Sequence, residues 1–363
     1  MKIPRLLILL AISQSVAVSP ASDKLPVFTD VTKQAGILEK VSYGDSKLSN
    51  IVEGTGSGAM FFDFDAAGWL DIYIPSPCWL KEVSDNRSRR LMGKLIDRLY
   101  RNNGDGTFTD ISKAAGLDNP SWSVSAPWFD YDADGDLDVY LATYLEYDSG
   151  KFKSYYAASG YPGPLSYNGQ PDVLYRNNGD GTFTDVTKDA GVYQPNGRAM
   201  SATVADLNND GLLDIYVTND AMENYYFRNL GNGKFQNDAL AMGLAFGEGG
   251  QGVSSMGPAI GDVDRDGRLD IYIPDMGYGC LLMNRGDYFE DRTAASNLAV
   301  VCGQYTGWGG LLFDYDCDGY LDVFVSNGDA HHEYTEEAGR MRNAGKGNFI
   351  DVAAVSGPYF NEE

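Results

Sequence analysis

Five times in 363 residues the chain sets acidic side chains at alternate positions of a nine-residue segment, D-x-D-x-D-G-x-x-D, with glycine sixth. The second copy is the fullest, with Asp130, Asp132, Asp134, Asp136 and Asp138. The third places Asp206, Asn208, Asp210, Leu212 and Asp214 at the same odd positions. The fourth has Asp262, Asp264, Asp266, Arg268 and Asp270, and the fifth Asp314, Asp316, Asp318, Tyr320 and Asp322. The first keeps Asp63, Asp65 and Asp71 but has Ala67 fifth and Trp69 seventh. In a tightly coiled loop alternate side chains converge on one point. Several hard oxygen donors at one point suit Ca2+, which takes them at about 2.3–2.6 Å, better than Mg2+, which wants a tight octahedron and keeps its waters. The seventh residue varies in type, as expected of a position that offers its backbone carbonyl. Asn208 keeps an oxygen and loses a charge; Ala67 loses the donor. The motif therefore predicts four Ca2+ ions in loops 2 to 5, with loop 1 one ligand short of a fifth. An EF-hand would need Glu at position 12, where Leu141, Val217, Ile273 and Val325 stand.

What must position these loops is legible around them. Each follows a small, apolar stretch and runs into an alternating one (IYIP, VYLATY, IYVTN, IYIPD, VFVSN), the pattern of a half-buried strand. A second signature, RNNGDGTF, occurs at 101–108 and 176–183, with relatives at 228–235, 284–289 and 342–349. Its Asn-Gly and Asp-Gly pairs supply the positive φ angles of tight hairpins. A third is a small residue eight positions after each hairpin Phe: Gly116, Gly191, Gly243, Asn297 and Gly357, and Gly36 after Phe28. Each unit reads strand A, acidic loop, strand B, variable connection, strand C, hairpin, strand D. The fold expected is all-β, a β-propeller of four-stranded antiparallel blades, five of them complete. Phe28–Thr32 matches a D strand with no A, B or C before it. That orphan predicts an incomplete ring over residues 22–363, from a parent of six or seven blades.

Composition narrows the partners. Lys and Arg total 28 against 51 Asp and Glu, a formal charge of −23, which argues against nucleic acid and anionic membrane surfaces. Lys2 and Arg5 precede the apolar run from Leu6 to Ile12, and small residues end at Ala21, so residues 1–21 read as a signal peptide. The expected location is secreted, cell-surface or periplasmic, with no membrane span. Cys78, Cys280, Cys302 and Cys317 allow three disulfide connectivities, with Cys280 and Cys302 the nearest candidates for pairing.

With these motifs in view, the chain resembles the FG-GAP, or VCBS-type, repeat of integrin α-subunit propellers. The phrases YRNNGDGTFTDVT and FDYDADGDLDVY are similar to bacterial relatives of cartilage acidic protein, in which an ASPIC/UnbV domain usually follows. The resemblance covers roughly Phe28 to Gly357 and implies Ca2+ in the loops. It does not imply a single function. The sequence holds no nucleophile elbow and no zinc-protease motif; its two histidines, His331 and His332, are adjacent and in an extended chain point opposite ways. The reading is a non-enzymatic adhesion or ligand-binding scaffold for an extracellular protein or glycan. The alternatives are a carbohydrate-binding lectin and a polysaccharide-active lyase or glycosidase. Tyr144, Tyr147, Tyr155, Tyr156, Tyr161 and Tyr167, in the insertion between strands B and C of blade 2, form the candidate recognition surface.

Overall fold

The computed structural model describes residues 28–37, 58–76, 96–146, 163–277, 279–302, 305–328 and 339–356. The signal segment 1–21, Cys78, Gly357, the two histidines and four of the six insertion tyrosines (147, 155, 156 and 161) lie outside these residues.

Among the described residues five antiparallel sheets of four or five strands follow one another along the chain, each with its strands in sequence order, and a two-stranded one pairs Leu145–Glu146 with Asn168–Gly169. In the first, strands A to D are Met60–Phe62, Asp71–Ile74, Arg98–Asn102 and Phe108–Asp110. The third runs Ala199–Ala205, Asp214–Asn219, Tyr225–Asn229 and Phe235–Asn237. The fourth runs Ala259–Gly261, Asp270–Ile273, Cys280–Asn284 and Phe289–Asp291, and the fifth Gly307–Phe313, Asp322–Asn327, Gly339–Asn343 and Phe349–Asp351. In the second sheet strand A is broken into Ser123–Ser125 and Trp128–Phe129, both paired with strand B, Asp138–Thr143; C and D are Val173–Asn177 and Phe183–Asp185. The break falls at Pro127, whose nitrogen has no proton to give the ladder. These are the blades of an all-β propeller fold.

Strand B is not half-buried, as its alternation suggested. In blades 2, 3 and 4 every residue of it is buried. The reason is the stacking of blades: both sheet faces meet a neighbour, and the polar members of the alternation are hydrogen-bonded inside. Tyr73, Tyr140, Tyr216 and Tyr272, each two residues past an acidic loop, are fully buried. Four apolar clusters fill the four successive interfaces. Tyr73 and Leu99 meet Val139 and Phe183; Tyr140 and Leu174 meet Ile215 and Phe235; Tyr226 meets Ile271 and Phe289; Tyr272 and Leu281 meet Val323 and Phe349. Among the described residues no such cluster joins blade 5 to blade 1. Leu311 and Phe313 on strand A of blade 5, and Ile350 on its strand D, are exposed.

The eight-residue spacing marks the junction between blades. Gly191 and Gly243 end short helical turns with φ of 85° and 75°, and a Cβ on either would stand 2.8 Å from the carbonyl oxygen of the next blade's hairpin Phe. Only glycine meets both demands at these points. Gly36, with φ 83°, sits in the same way against Phe108, and the Phe108 N–H donates to the Ala35 carbonyl at 2.8 Å. The N-terminal segment thus occupies the place of a preceding blade's junction. It is not the D strand expected, however. Phe28 is 94% exposed, whereas the hairpin residues Phe183, Phe235, Phe289 and Phe349 are buried, because no strand C lies beside it among the described residues.

The expected pairing of Cys280 with Cys302 is also absent: both are free thiols, as is the exposed Cys317. Cys280 packs in the interface of blades 3 and 4, whereas Cys302 packs against the cluster between blades 4 and 5 and accepts from the Tyr272 hydroxyl at 3.4 Å. They belong to opposite faces of one sheet.

Candidate metal centres

Each acidic loop joins strand A to strand B at the end of the blade that also carries the C–D hairpin. Its backbone reverses through two left-handed residues. The sixth is the glycine the motif requires, with φ between 83° and 96° in all five loops. The fourth was not foreseen: Ala66, Ala133, Asn209, Arg265 and Cys317 have φ between 53° and 63°. Of these types only Asn adopts that region readily, so residue identity gave no signal. The strain, on the order of 1 kcal/mol per residue, is held by the hydrogen bonds of the loop.

Those bonds set the carboxylates. The first Asp receives two backbone N–H groups, from positions 5 and 6, at 2.8–3.1 Å: Asp63, Asp130, Asp206, Asp262 and Asp314 are alike in this. The ninth is buried in every loop and receives the N–H of position 2 on one oxygen and that of the hairpin Asn on the other. As a result positions 1, 3 and 9 bring one oxygen each within 4.8 Å of one another in four loops: Asp63, Asp65 and Asp71; Asp130, Asp132 and Asp138; Asp262, Asp264 and Asp270; Asp314, Asp316 and Asp322. Loop 1 has this triad despite Ala67. Position 5 stands apart from the triads. Asp134, Asp210, Asp266 and Asp318 each accept the N–H of residue 7 at 2.9–3.0 Å. Side chains at position 7 turn to the hairpin glycine of their own blade: Trp69 to Gly104, Asp136 to Gly179, Leu212 to Gly231 and Tyr320 to Gly345.

The donor set fits a hard divalent cation. The Oδ1 atoms of Asp132 and Asp264 are buried with no hydrogen-bond partner, each in a triad. Burial first, then the charges of Asp132 and Asp134, push the Asp138 carboxyl up to about 7. Burial likewise raises Asp214 and Asp270 to about 6. A bound cation reverses that cost. Cationic side chains already reach some loops. Arg285 meets Asp264 at 3.2 Å and Arg342 meets Asp316 at 3.6 Å, while Arg268 bonds to Asp266.

The opposite end of the blades holds carboxylates outside the acidic-loop motif, Asp97 and Asp172 each four residues before the hairpin Arg. Asp97 accepts from the Ser76 N–H, the Tyr73 hydroxyl and the Ser123 hydroxyl at 2.7, 3.1 and 2.8 Å, and burial pushes it up to about 8. Asp172 accepts from the Thr143 N–H and the Tyr140 hydroxyl, at about 7. Asp220 accepts the Tyr144 hydroxyl at 2.7 Å, so Tyr144 is a buried strut, and Tyr167 is buried as well. Neither belongs to a recognition surface. Beside them, at the outer edge of blade 2, a recess of about 260 Å3 is lined by Asp172, Asp185, Lys188, Asp189 and the partly exposed Tyr193, among others.

The FG-GAP-like repeat family matches residues 63–141, 156–217 and 206–273, more than half of the chain. Cartilage acidic protein 1 of Homo sapiens is 28% identical over 174 residues, 44% of this chain and 25% of that protein. The Xenopus tropicalis protein of the same name is 27% identical over 174 residues, with the same coverage. The chain thus spans about a quarter of the length of the curated relatives it matches. Among solved structures, an Agrocybe aegerita lectin that recognises non-reducing terminal N-acetylglucosamine is 21% identical at a TM-score of 0.43, covering 81% of this chain and 64% of that one. The Bacillus licheniformis rhamnogalacturonan lyase is 19% identical at 0.43, covering 82% and 50%. The repeated acidic loop, its hairpin and the matched residues agree: the chain belongs to the FG-GAP-like repeat family.

Proposed function

We propose that this protein is an exported, calcium-stabilised propeller that binds an extracellular protein or glycan without chemical turnover. The observation that carries the calcium reading is the convergence of positions 1, 3 and 9 in loop after loop, with Asp132 Oδ1 and Asp264 Oδ1 buried and unpartnered. Asp130, Asp132 and Asp138, and their counterparts in loops 1, 4 and 5, would hold the ion. Loop 3 offers Asp206, Asn208 and Asp214 in the same positions. The ion supplies positive charge that lets several carboxylates share one turn between strands A and B. It is structural in this reading, and binding and folding are linked. Export rests on the signal-type segment 1–21. The test is to count bound calcium by atomic absorption on the dialysed full chain and repeat the count in EGTA. Four or five ions per chain support the reading; none defeats it.

A lectin is the second reading, favoured by the recess on blade 2. Tyr193, with the Lys188 ammonium 4.8 Å over its ring, offers an aromatic wall, and Asp185 and Asp189 offer acceptors to hydroxyl groups. Neutral oligosaccharides retained on a glycan array by the wild type and lost with Tyr193→Ala would establish it.

A further inference from the structure

The hairpin asparagine of blades 2 to 5, the second residue of the R-N-x-G turn or the first of N-R-G, touches two acidic loops at once. Asn229 is the clearest case. Its backbone N–H donates to Asp214 Oδ1 of its own loop 3 at 2.8 Å. Its side-chain Nδ2 donates to the Leu213 carbonyl of the same loop at 3.1 Å and to the Tyr131 carbonyl of loop 2 at 2.9 Å. Tyr131 in turn gives its N–H to Asp138, the ninth residue of loop 2, at 3.1 Å. One buried residue therefore joins the two loops: its backbone N–H holds the ninth carboxylate of loop 3, and its side chain holds the carbonyl of the residue whose N–H holds the ninth carboxylate of loop 2.

The same linkage recurs. Asn177 reaches the Phe64 carbonyl at 3.5 Å, Asn284 the Leu207 carbonyl at 2.8 Å and Asn343 the Val263 carbonyl at 2.9 Å. An unbroken series of hydrogen bonds runs from Asp71 in loop 1 to Asp322 in loop 5. Asn102 of blade 1 makes the bonds within its own blade, to Asp71 and Leu70, but has no earlier loop among the described residues and is less buried. It is a natural control. Within its own hairpin each asparagine accepts the turn glycine's N–H on Oδ1, from Gly179, Gly231, Gly286 and Gly345 at 2.9–3.0 Å; the bond to the neighbour's position-2 carbonyl comes in addition to that local role.

We propose that Asn177, Asn229, Asn284 and Asn343 are positioning residues that couple adjacent calcium loops, so that filling one loop raises the affinity of the next. The inference rests on the calcium reading above. Were position 9 drawn inward on filling, position 2, whose N–H it accepts, would move with it, and the asparagine would carry that shift to the neighbouring ninth carboxylate. A contiguous bonded network with two arrangements, empty and filled, is what such coupling requires.

The test is calorimetric calcium titration of the full chain in four forms: wild type, Asp206→Ala with Asn208→Ala to disable loop 3, Asn229→Ala, and the three changes together. Disabling loop 3 should weaken binding at the remaining loops about fivefold or more in the wild-type background. With Asn229→Ala that further loss should shrink to under twofold. Asn102→Ala should leave loops 2 to 5 unchanged, and Asn229→Ser serves if the alanine variant does not fold. A purely structural asparagine would lower the melting temperature equally in calcium and EGTA and leave the fivefold loss intact; that result overturns coupling alone. A wild-type titration without heat or bound ion overturns both readings.

Discussion

The two ends of the blades treat the same residue type in opposite ways. At the loop end, aspartates gather in threes within 4.8 Å, and two of their buried oxygens have no partner. At the other end Asp97 and Asp172 stand singly, and hydroxyl and N–H donors reach both oxygens of each. Burial raises the proton affinity at both ends. Neighbouring carboxylates add to it in the loops, as Asp132 and Asp134 do on Asp138, whereas none adds to it at Asp97 or Asp172. Repulsion among close carboxylates is relieved by a divalent cation, whereas isolated burial is relieved by hydrogen bonds or a proton. The difference separates a candidate metal site from an acidic core more sharply than a count of aspartates does.

The largest test of this difference is removal of the ion. A ligand at a thousandfold its Kd adds about 4 kcal/mol per site, so excess EGTA should lower the melting temperature by on the order of 10 °C. A differential scanning trace unmoved by EGTA, then by added calcium, would show that the loop end needs no cation.

The opposite end should answer to protons instead. An Asp ionises near 3.9 when unfolded, and Asp97 holds its proton up to about 8 when folded. Its contribution is therefore fully present below pH 4 and is lost as pH rises through 8. Asp97→Asn should flatten that fall and stabilise the protein by a few kcal/mol at pH 8. Blade 3 shows that the place accepts the amide. Asn224 stands there, accepts from the Asn219 N–H at 2.8 Å, and donates to the Tyr216 hydroxyl and Ser255 Oγ. Urea melts across pH 5 to 9 in EGTA give the slope. An unchanged slope would mean that Asp97 is ionised throughout.

How unevenly the two ends could be read from sequence follows from their chemistry. The loop end was legible because one backbone geometry, glycine at position 6 and a hairpin Asn with glycine two residues on, is repeated five times with its carboxylates in fixed register. Its left-handed fourth residue was not, since Ala66, Arg265 and Cys317 carry no sign of that conformation. Asp97 and Asp172 each stand four residues before the hairpin Arg, Arg101 and Arg176, as Asn224 does before Arg228. The signal lies in that backward offset, which insertions of different length hide from a register counted forward from the acidic loops. Their partners Tyr73 and Tyr140 read as ordinary members of an alternating strand. The orphan Phe28 matched its repeat in spelling, yet strand pairing is a tertiary property, and its neighbours are not in that segment.

Within the loop end, the number of ligands should order the loops. Loop 2 has all its carboxylates and a partnerless Asp132 oxygen, whereas loop 1 lacks the fifth donor. Asp132→Ala should therefore cost more calcium affinity than Asp65→Ala, about tenfold against a smaller loss, because loop 1 is weak at the outset. Isothermal titration of the two variants in the reverse order would contradict the ranking.

The smallest expected effect concerns the charge already present in loop 4. Arg285 lies 3.2 Å from one oxygen of Asp264 and also bonds to Glu290, while the other Asp264 oxygen is buried without a partner. Its guanidinium offsets part of the negative charge that would attract an ion, at a site where both side chains still touch solvent, so the offset is modest. Arg285→Gln should raise calcium affinity at loop 4 about threefold and bring it closer to loop 2. The variant also separates two reasons for an aspartate to be there. If Asp264 serves chiefly as an anchor for Arg285, losing the arginine lowers the melting temperature in EGTA and adds nothing to binding. If it serves a cation, stability in EGTA stays within about 0.5 kcal/mol while affinity rises, and the rise shrinks at high salt because screening weakens the exposed arginine's influence.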